Sequence, residues 1–266
     1  MIFLWLSGGL PPAPRPRPTR VVESALRSNY VDAMRFPDPL IPGRLLRRYK
    51  RFLSDIELDG GEIVVAHCAN PGAMTGLAEA GARVWLSPSR NPARKLKYSW
   101  ELIKVNGHLV GINTSWPNRI VEEAVRAEAV AELTGYQSLR REVPYGRNSR
   151  IDLLLEGEDR PPCYLEVKNV HLKRREGLAE FPDSVTKRGT KHLVELSEMA
   201  QSGARAVMFY LVQRGDCTSF EIAADIDPAY DRALRQALAH GVEALCYSCR
   251  VGREAIELDR PLPLVL

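Results

Sequence analysis

The sequence predicts two domains, an N-terminal OB-fold-like small β-barrel and a C-terminal α/β domain. Residues 34–115 hold five short apolar stretches separated by turn signals, a spacing typical of a small barrel. After residue 116, helical periodicity alternates with apolar strands, which indicates one sheet between helices. With 266 residues, 45% of them hydrophobic and 26% charged, the chain is long enough for two cores. This composition excludes a collagen, a coiled-coil rod and a disordered acidic tail.

Residues 1–33 differ in composition from the rest of the chain. The apolar run at residues 1–6 is too short for a secretory or membrane-spanning segment, and no later run is long enough, so we expect no membrane association. Residues 11–18 contain five prolines, which favour extended chain. We therefore expect 1–33 to be a disordered Pro/Arg-rich extension or the product of an upstream start codon. The alternative is a genuine basic tail.

The first domain is expected to span residues 34–116. Asn70-Pro71-Gly72 and Asn106-Gly107 are turn signals, and Asn106-Gly107 favours a hairpin. Strands are predicted around these turns, at residues 61–68, 81–87, 100–105 and 108–113. Trp116-Pro117 then marks the boundary.

The second domain is expected to span residues 117–266. Apolar spacing predicts helices at 120–134, 187–201 and 228–240, and Asp183 and Ser184 suit the N-cap of the second helix. Strands are predicted at 139–143, 150–155, 163–170, 205–212, 218–223 and 242–251.

The five cysteines are too few, and odd in number, for a disulfide framework. Cys246 and Cys249 form one CxxC motif with no second pair to complete a zinc site, so a buried strand is the better interpretation. This cysteine usage favours a reducing compartment, and we expect a cytoplasmic protein.

Basic residues interleaved with aromatic ones are candidates for binding DNA. The net charge of +4 is weak evidence, because four arginines and two acids in residues 1–33 contribute half of it. Local clusters are more informative, since Lys and Arg contact phosphates and aromatic rings stack on bases. The candidate DNA-binding residues are Arg44, Arg47, Arg48, Lys50, Arg51, Lys95, Lys97, Lys187, Arg188, Lys191 and His192. The alternative interpretation is solvated charge at strand edges and at a helix start.

The chemically most informative segment carries Asp152 on one predicted strand and Glu166-x-Lys168 on the next. A hairpin centred near Asp159 places Asp152 opposite that stretch, and alternation puts Glu166 and Lys168 on one face. Two carboxylates beside a lysine suit Mg²⁺ or Mn²⁺ bound together with a phosphate. The alternative is a surface ion pair, but charge within an apolar strand is unusual.

The preceding helix offers a third acid. Glu123 is in phase with the inward face of the predicted helix, whereas Glu122 is in phase with a polar face and is expected to be solvated. We therefore predict Asp152, Glu166 and Glu123 as metal ligands, with Lys168 as a further catalytic residue. The order of a helix acid, a strand Asp and a strand Glu-x-Lys resembles the PD-(D/E)xK nuclease superfamily.

The chain as a whole, from about residue 34 onward, resembles the sugar fermentation stimulation protein A family. The matching segments include Ser149-Arg-Ile-Asp152 and Glu166-Val-Lys168, together with residues 39–53, 67–74, 118–124 and 181–193. In the family the helix glutamate immediately precedes an alanine, which corresponds to Glu123. The resemblance implies an OB-fold joined to a PD-(D/E)xK nuclease-like α/β domain, DNA binding, and a role in regulating sugar utilisation. The extension at residues 1–33 departs from the family pattern.

Three functions remain open from the sequence. The first is a metal-dependent, DNA-binding nuclease of PD-(D/E)xK type. The second is a non-catalytic DNA-binding regulator, and the third is a protein of sugar metabolism whose acids bind something other than DNA.

Overall fold

The computed structural model describes residues 34–265, so the predictions made for residues 1–33 lie outside the described residues. The strands of the first half are β1 (Met34–Arg35), β2 (Ile41–Tyr49), β3 (Leu53–Leu58), β4 (Ile63–His67), β5 (Arg83–Pro88), β6 (Tyr98–Val105) and β7 (His108–Gly111). The strands of the second half are β8 (Ser138–Tyr145), β9 (Ser149–Gly157), β10 (Arg160–Val170), β11 (Leu172–Arg175), β12 (Gly177–Phe181), β13 (Arg205–Val212), β14 (Cys217–Ile222), β15 (Glu243–Val251), β16 (Ala255–Pro261) and β17 (Leu264–Val265). The helices are α1 (Pro117–Arg126), α2 (Lys187–Gln201) and α3 (Pro228–Ala239).

Strands β2 to β6 form the closed five-stranded barrel that the sequence predicts. They are ordered β4-β3-β2-β5-β6, and parallel pairing of Ala66 with Tyr98 joins β4 to β6 and closes the barrel. Strand β7 extends the barrel sheet as a hairpin with β6, through the predicted Asn106-Gly107 turn. Leu45, Ile56 and Trp100 fill the barrel interior and are fully buried. The N-terminal domain is therefore an OB-fold-like barrel.

A seven-stranded sheet, ordered β1-β16-β15-β13-β10-β9-β8, forms the centre of the second domain. Strands β10, β13 and β15 are parallel, and antiparallel strands flank them on both sides. One core joins α1 to one face of this sheet, and a second core joins α2 and α3 to the other face. A smaller sheet, ordered β11-β12-β14-β17, lies in the same domain. The result is an α/β domain with helices on both faces of a mixed sheet.

Strand β1 belongs to the second domain although it precedes the barrel. Met34 and Arg35 pair with β16, and Met34 is buried in the core that also contains α1. The sequence analysis assigned residues from 34 onward to the barrel domain, and the structure differs at this point. A two-residue strand carries too little alternation to be recognised from sequence.

The first helix is shorter than its apolar spacing predicts. It ends at Arg126, and Glu128 adopts a left-handed φ of 55°, which an α-helix does not accommodate. A 3₁₀ turn at Ala131–Leu133 follows and buries Leu133. The apolar residues beyond 126 therefore reach the core from a turn instead of a continued helix.

The cap of α2 also differs from the expectation. Thr186, rather than Asp183 or Ser184, is the N-cap, and its hydroxyl accepts a hydrogen bond from the amide of Gly189. All five cysteines are free and buried, and Cys246 and Cys249 lie in strand β15 as expected. Among residues 34–265, no helix has the length and apolar character needed to cross a membrane.

Candidate active site

The β9–β10 hairpin brings Asp152 and Glu166 together. Its turn lies between Gly157 and Arg160, as predicted, and Leu153 pairs with Leu165. Beyond this pair, the carboxylate of Asp152 accepts a hydrogen bond from the backbone amide of Val167, the residue after Glu166. The charge of Glu166 also acts on Asp152, so the two carboxylates lie near each other. We refer to Asp152, Glu166 and Lys168 as the hairpin cluster.

Glu166 is buried, with 3% of the residue exposed. Its Oε1 accepts a hydrogen bond from Lys168 Nζ at 2.6 Å and contacts Nδ1 of His192 from α2. Burial alone would raise the pKa of Glu166, but the His192 hydrogen bond and the charge of Lys168 outweigh it and lower the pKa below its usual range. Oε2 of Glu166 is buried without a hydrogen-bond partner among the described residues. One oxygen of a charged, buried carboxylate is thus left available.

Asp152 is fixed through both of its carboxylate oxygens. Oδ1 accepts from the side-chain amide of Asn118 on α1 at 2.7 Å, and Oδ2 accepts from the backbone amide of Val167 at 2.8 Å. Burial, and then the negative charge of Glu166, raise the pKa of Asp152 to about 6 despite these hydrogen bonds. The carboxylate is therefore held in one orientation while its charge remains incompletely compensated.

Glu123 does not join the hairpin cluster through any hydrogen bond of the described residues. Its Oε1 accepts from Arg119 at 2.7 Å, and its Oε2 is buried without a partner. Asn118, which does reach Asp152, lies one turn from Glu122, and Glu122 pairs with Arg126 and Arg141. The side chain of Glu122 is only 15% exposed, so the expectation of a solvated Glu122 is wrong. A metal-binding role for Glu123 stays a prediction.

Three polar residues near the cluster escaped the sequence analysis. Asn118 positions Asp152, as described above. The hydroxyl of Tyr145 and Oε2 of Glu195 are buried without partners among residues 34–265. Burial, followed by the charges of Glu166, Glu195 and Asp152, raises the pKa of Tyr145 well above its usual value. The one sequence feature that could have identified Asn118 as a site residue is its position one helical turn before Glu122.

Of the basic residues at the start of α2, three are exposed and one, His192, is buried. Lys187 is exposed, and Lys191 donates to the carbonyl of Arg147 and the hydroxyl of Ser149 at the start of β9. Arg188 is exposed and contacts His192. His192 itself is 3% exposed and contacts Glu166, which differs from the DNA-phosphate contact expected for it.

The basic residues of the barrel also divide into two groups. Arg48 is partly buried and donates to the carbonyls of Asn70 and Gly72, so it anchors the loop after β4. The other predicted residues of this domain, Arg44, Arg47, Lys50, Arg51, Lys95 and Lys97, are exposed. Among them, Arg47 pairs with Asp55 and Lys97 donates to the carbonyl of Pro92.

A network of buried polar side chains joins the two domains beside the hairpin cluster. The carboxylate of Asp183 accepts from the backbone amide of Met74 at 3.1 Å and contacts Nε2 of His171 at 3.3 Å. His171 Nδ1 contacts Asn169, and Oδ1 of Asn169 accepts from Gln213 at 2.7 Å. In the barrel, Asn70 donates to the carbonyl of Ile112 and accepts from Gly72. We call Asn70, Asn169, His171, Asp183 and Gln213 the junction network.

An open cleft of about 350 Å³ lies over the junction network. Barrel residues Arg51, Asn70 and Thr114 line one side of it, and Asn169, His171 and the segment before α2 line the other. Asn169 directly follows Lys168 in β10. The cleft therefore leads from the barrel surface to the strand that carries Glu166 and Lys168.

The carboxylate oxygens of the hairpin cluster supply some, but not all, of the ligands that a divalent cation needs. The free Oε2 of Glu166 and the adjacent carboxylate of Asp152 are hard oxygen donors of the kind that Mg²⁺ and Mn²⁺ prefer. Within residues 34–265, however, no three acidic, histidine or cysteine side chains gather as a complete ligand set. Two protein carboxylates with the remaining positions left to water or phosphate is an ordinary arrangement for Mg²⁺.

Comparison with known proteins agrees with this two-domain arrangement. The profile of the SfsA N-terminal OB domain matches residues 46–112, and the profile of the sugar fermentation stimulation protein RE domain matches residues 115–255. A sugar fermentation stimulation protein homolog of Paramagnetospirillum magneticum is 61% identical over 233 residues, covering 88% of this chain and 98% of the relative. A homolog from Maricaulis maris is 58% identical over 233 residues, covering 88% and 99%.

Among solved structures, Pyrococcus furiosus SfsA in complex with Ca²⁺ superimposes with a TM-score of 0.79 at 26% identity, covering 88% of this chain and all of that one. The two profile matches and the near-complete coverage of these relatives show that this chain belongs to the sugar fermentation stimulation protein family.

Proposed function

We propose that this protein is a DNA-binding, metal-dependent nuclease of PD-(D/E)xK type. The observation that carries the proposal is the state of Glu166. This carboxylate is buried, its pKa is lowered, one oxygen is held by His192 and Lys168, and the other has no partner among residues 34–265. A fully structural ion pair would normally satisfy both oxygens, because an unpaired buried polar atom is costly.

Asp152 and Glu166 would hold the cation, Mg²⁺ or Mn²⁺, and Glu123 would join them only after leaving Arg119. A bound divalent cation would lower the pKa of a coordinated water and offset negative charge that develops on the scissile phosphate. The solved relative from Pyrococcus furiosus is described as a Ca²⁺ complex, which supports a hard-cation site in this family.

The protein residues have separate tasks in this proposal. Asn118 and the amide of Val167 keep Asp152 in a fixed orientation. His192 fixes Glu166 from the helix side, so that Oε2 faces away from the contact. The side chain of Lys168 is 14% exposed, and its ammonium can orient a water or stabilise negative charge on the phosphate.

DNA binding is supported by the position of the exposed basic residues. Arg51 lines the cleft from the barrel side, and Lys187 and Lys191 project from the first turns of α2, which carries His192. Lys and Arg at these positions can neutralise phosphates on a strand that enters the cleft. The free, buried cysteines are those that a reducing compartment preserves, which supports a cytoplasmic location.

The deciding experiment is cleavage of a panel of single-stranded, duplex and branched DNA with Mg²⁺ or Mn²⁺. Wild type should cleave at least one substrate, and Glu166→Gln should lose activity by about a hundred-fold or more, as for loss of a preorganised charge-stabilising group. Glu176→Gln is the matched control, because the Glu176 side chain is 94% exposed. Absence of cleavage in every arm, or equal activity of Glu166→Gln, would rule out the nuclease.

A non-catalytic DNA-binding regulator, acting on sugar-metabolism genes, is the second candidate. The observation in its favour is that Glu123 pairs with Arg119, which leaves two carboxylates at the cluster. It predicts salt-dependent DNA binding that Asp152→Ala leaves unchanged, with no cleavage by the wild type.

A further inference from the structure

Three aromatic rings lie in one row on the outer surface of the barrel. Leu53 of β3 pairs with Tyr49 of β2 on one side and with His67 of β4 on the other, and these side chains face away from the barrel core. Phe52 precedes Leu53, and its ring lies nearly parallel to that of His67, with 21° between the planes and 6.3 Å between the centroids. We call Tyr49, Phe52 and His67 the aromatic row.

Phe52 is the most unusual member of this row, since it is 43% exposed. The exposed ring of Phe52 stacks on His67, so the two rings together offer a flat apolar surface to a partner. The backbone leaves little freedom to turn the Phe52 ring inward. Lys50 and Arg51 both adopt left-handed φ values, of 47° and 63°, in the tight turn that places Phe52 at the barrel surface.

The positively charged residues around the aromatic row are suited to binding the phosphates of a nucleic-acid strand. Lys50 and Arg51 are exposed and lie between Tyr49 and Phe52 in the chain. The guanidinium of Arg47 lies 4.9 Å from the centroid of the Tyr49 ring, and its pairing with Asp55 offsets the nearest acid on this face. Cations interleaved with flat rings correspond to the alternation of phosphates and bases along one strand.

His67 can act as a flat, uncharged ring in this row. Burial, and to a smaller extent the positive charge of Arg94, lower the pKa of His67 below its usual value. The imidazole is therefore neutral at physiological pH, and it can stack on a base without adding charge. The remaining positive charge of the row comes from the turn residues Lys50 and Arg51.

We propose that unpaired nucleobases of single-stranded DNA stack on Tyr49, Phe52 and His67. The bases of a duplex are stacked on each other and hidden from such a surface, so the row selects a strand that is already single or locally opened. Arg51 belongs both to the turn beside Phe52 and to the wall of the cleft. A strand held on the row is thereby directed into the cleft, whose other wall includes Asn169 of the strand that carries Glu166 and Lys168. This last step rests on the proposed nuclease function, whereas the stacking itself does not.

The test measures binding of a fluorescently labelled oligothymidylate, about 12 nucleotides long to match the site size of one OB fold, in EDTA. Phe52→Ala should weaken binding about ten-fold or more, as for loss of one stacked base, and Phe52→Tyr should restore most of it. His67→Ala should weaken it in the same direction. Val65→Ala is the matched control, because Val65 is 40% exposed on the same face and carries no ring.

A duplex of the same sequence is the second arm. Phe52→Ala should leave duplex affinity unchanged within about two-fold, since phosphate contacts dominate there. Equal single-strand affinity of wild type and Phe52→Ala would overturn the proposal. An equal loss in Val65→Ala would overturn it as well, and would instead indicate an apolar docking face for a protein. Because EDTA prevents cleavage, these results are independent of the Glu166→Gln outcome.

Discussion

The hairpin cluster and the junction network are both polar and largely buried, but they differ in how completely their carboxylates are paired. In the junction network, both nitrogens of His171 and both carboxylate oxygens of Asp183 have partners. The same is true of the side-chain amides of Asn70 and Asn169, whereas Oε1 of Gln213 is buried without a partner among the described residues. At the hairpin cluster, Glu166 Oε2 and the nearby Tyr145 hydroxyl have none among the described residues.

The pKa values show the same contrast. Burial would raise the pKa of Asp183, yet the hydrogen bond and charge of His171 lower it to about 2. Burial and Glu166 instead raise the pKa of Asp152 to about 6. The charged group of the junction network, the carboxylate of Asp183, is thus fully paired, and it links the second domain to the amide of Met74 in the barrel. The hairpin cluster is incomplete in a way that a cation would relieve.

The largest expected effect on stability is that of a cation bound at the hairpin cluster. Ca²⁺ at a hundred times its dissociation constant should stabilise the protein by about 2.7 kcal/mol near pH 7.5. Because the pKa of Asp152 is raised to about 6, this carboxylate takes up a proton as the pH falls through that value. The cation must then displace this proton. The stabilisation by Ca²⁺ should therefore be smaller by about 1.4 kcal/mol at a pH one unit below that pKa.

Thermal unfolding with and without Ca²⁺, at about pH 7.5 and about pH 5, measures this difference. Glu166→Gln should lose the Ca²⁺ response at both values. If Glu166→Gln were stabilised as much as wild type, the cation would be bound elsewhere.

A smaller effect on stability is expected from disturbing the junction network. A Cβ added at Gly72 would overlap the carboxylate of Asp183, which His171 and the amide of Met74 hold in place. Gly72→Ala should therefore lower the free energy of unfolding by about 2 kcal/mol, a typical cost of overpacking. Denaturant unfolding measures it, with Gly60→Ala as the control because a Cβ there meets no atom within 4 Å. Equal free energies of unfolding for the two variants would contradict this prediction, because they would show that the carboxylate of Asp183 can move aside at little cost.

The smallest effect tests the segment that connects the junction network to α2. Thr186→Ala removes the side-chain acceptor of the Gly189 amide and should cost about 1 kcal/mol of stability. Ser184→Ala should cost less, because the Ser184 hydroxyl is exposed and donates only to Asp183. A larger loss for Ser184→Ala would restore the cap assignment made from the sequence.

Most of the fold could be predicted because its elements have clear periodicity. Helix α2 and strand β13 match their predicted spans at both ends, since each has a continuous apolar pattern and a terminating Gly or turn. Strand β12 was missed because Phe181 lies before a proline and Gly177 begins the strand, so turn signals dominate the segment. Helix α1 was predicted too long, since spacing alone does not reveal the left-handed residue Glu128.

The candidate site could be predicted only where the chain places its parts on neighbouring strands. The β9–β10 hairpin is local, so the pairing of Asp152 with the Glu166 stretch followed from the turn position. The contact between His192 and Glu166 joins residues 26 positions apart across a helix–sheet interface, and sequence spacing does not determine it. Asp183 was assigned to a helix cap because its true partner, the amide of Met74, lies in the other domain.

The pairing of β1 with β16 makes the barrel an insertion within the α/β domain. The chain leaves the large sheet after Arg35, builds the barrel, and returns to the same domain at Pro117. Two covalent connections therefore restrain the barrel, which limits rotation about any single linker. A fragment that begins at Pro117 would lack the β1 partner of Ile256 and the buried side chain of Met34. An isolated α/β domain would have to be built as a circular permutant that restores this edge strand.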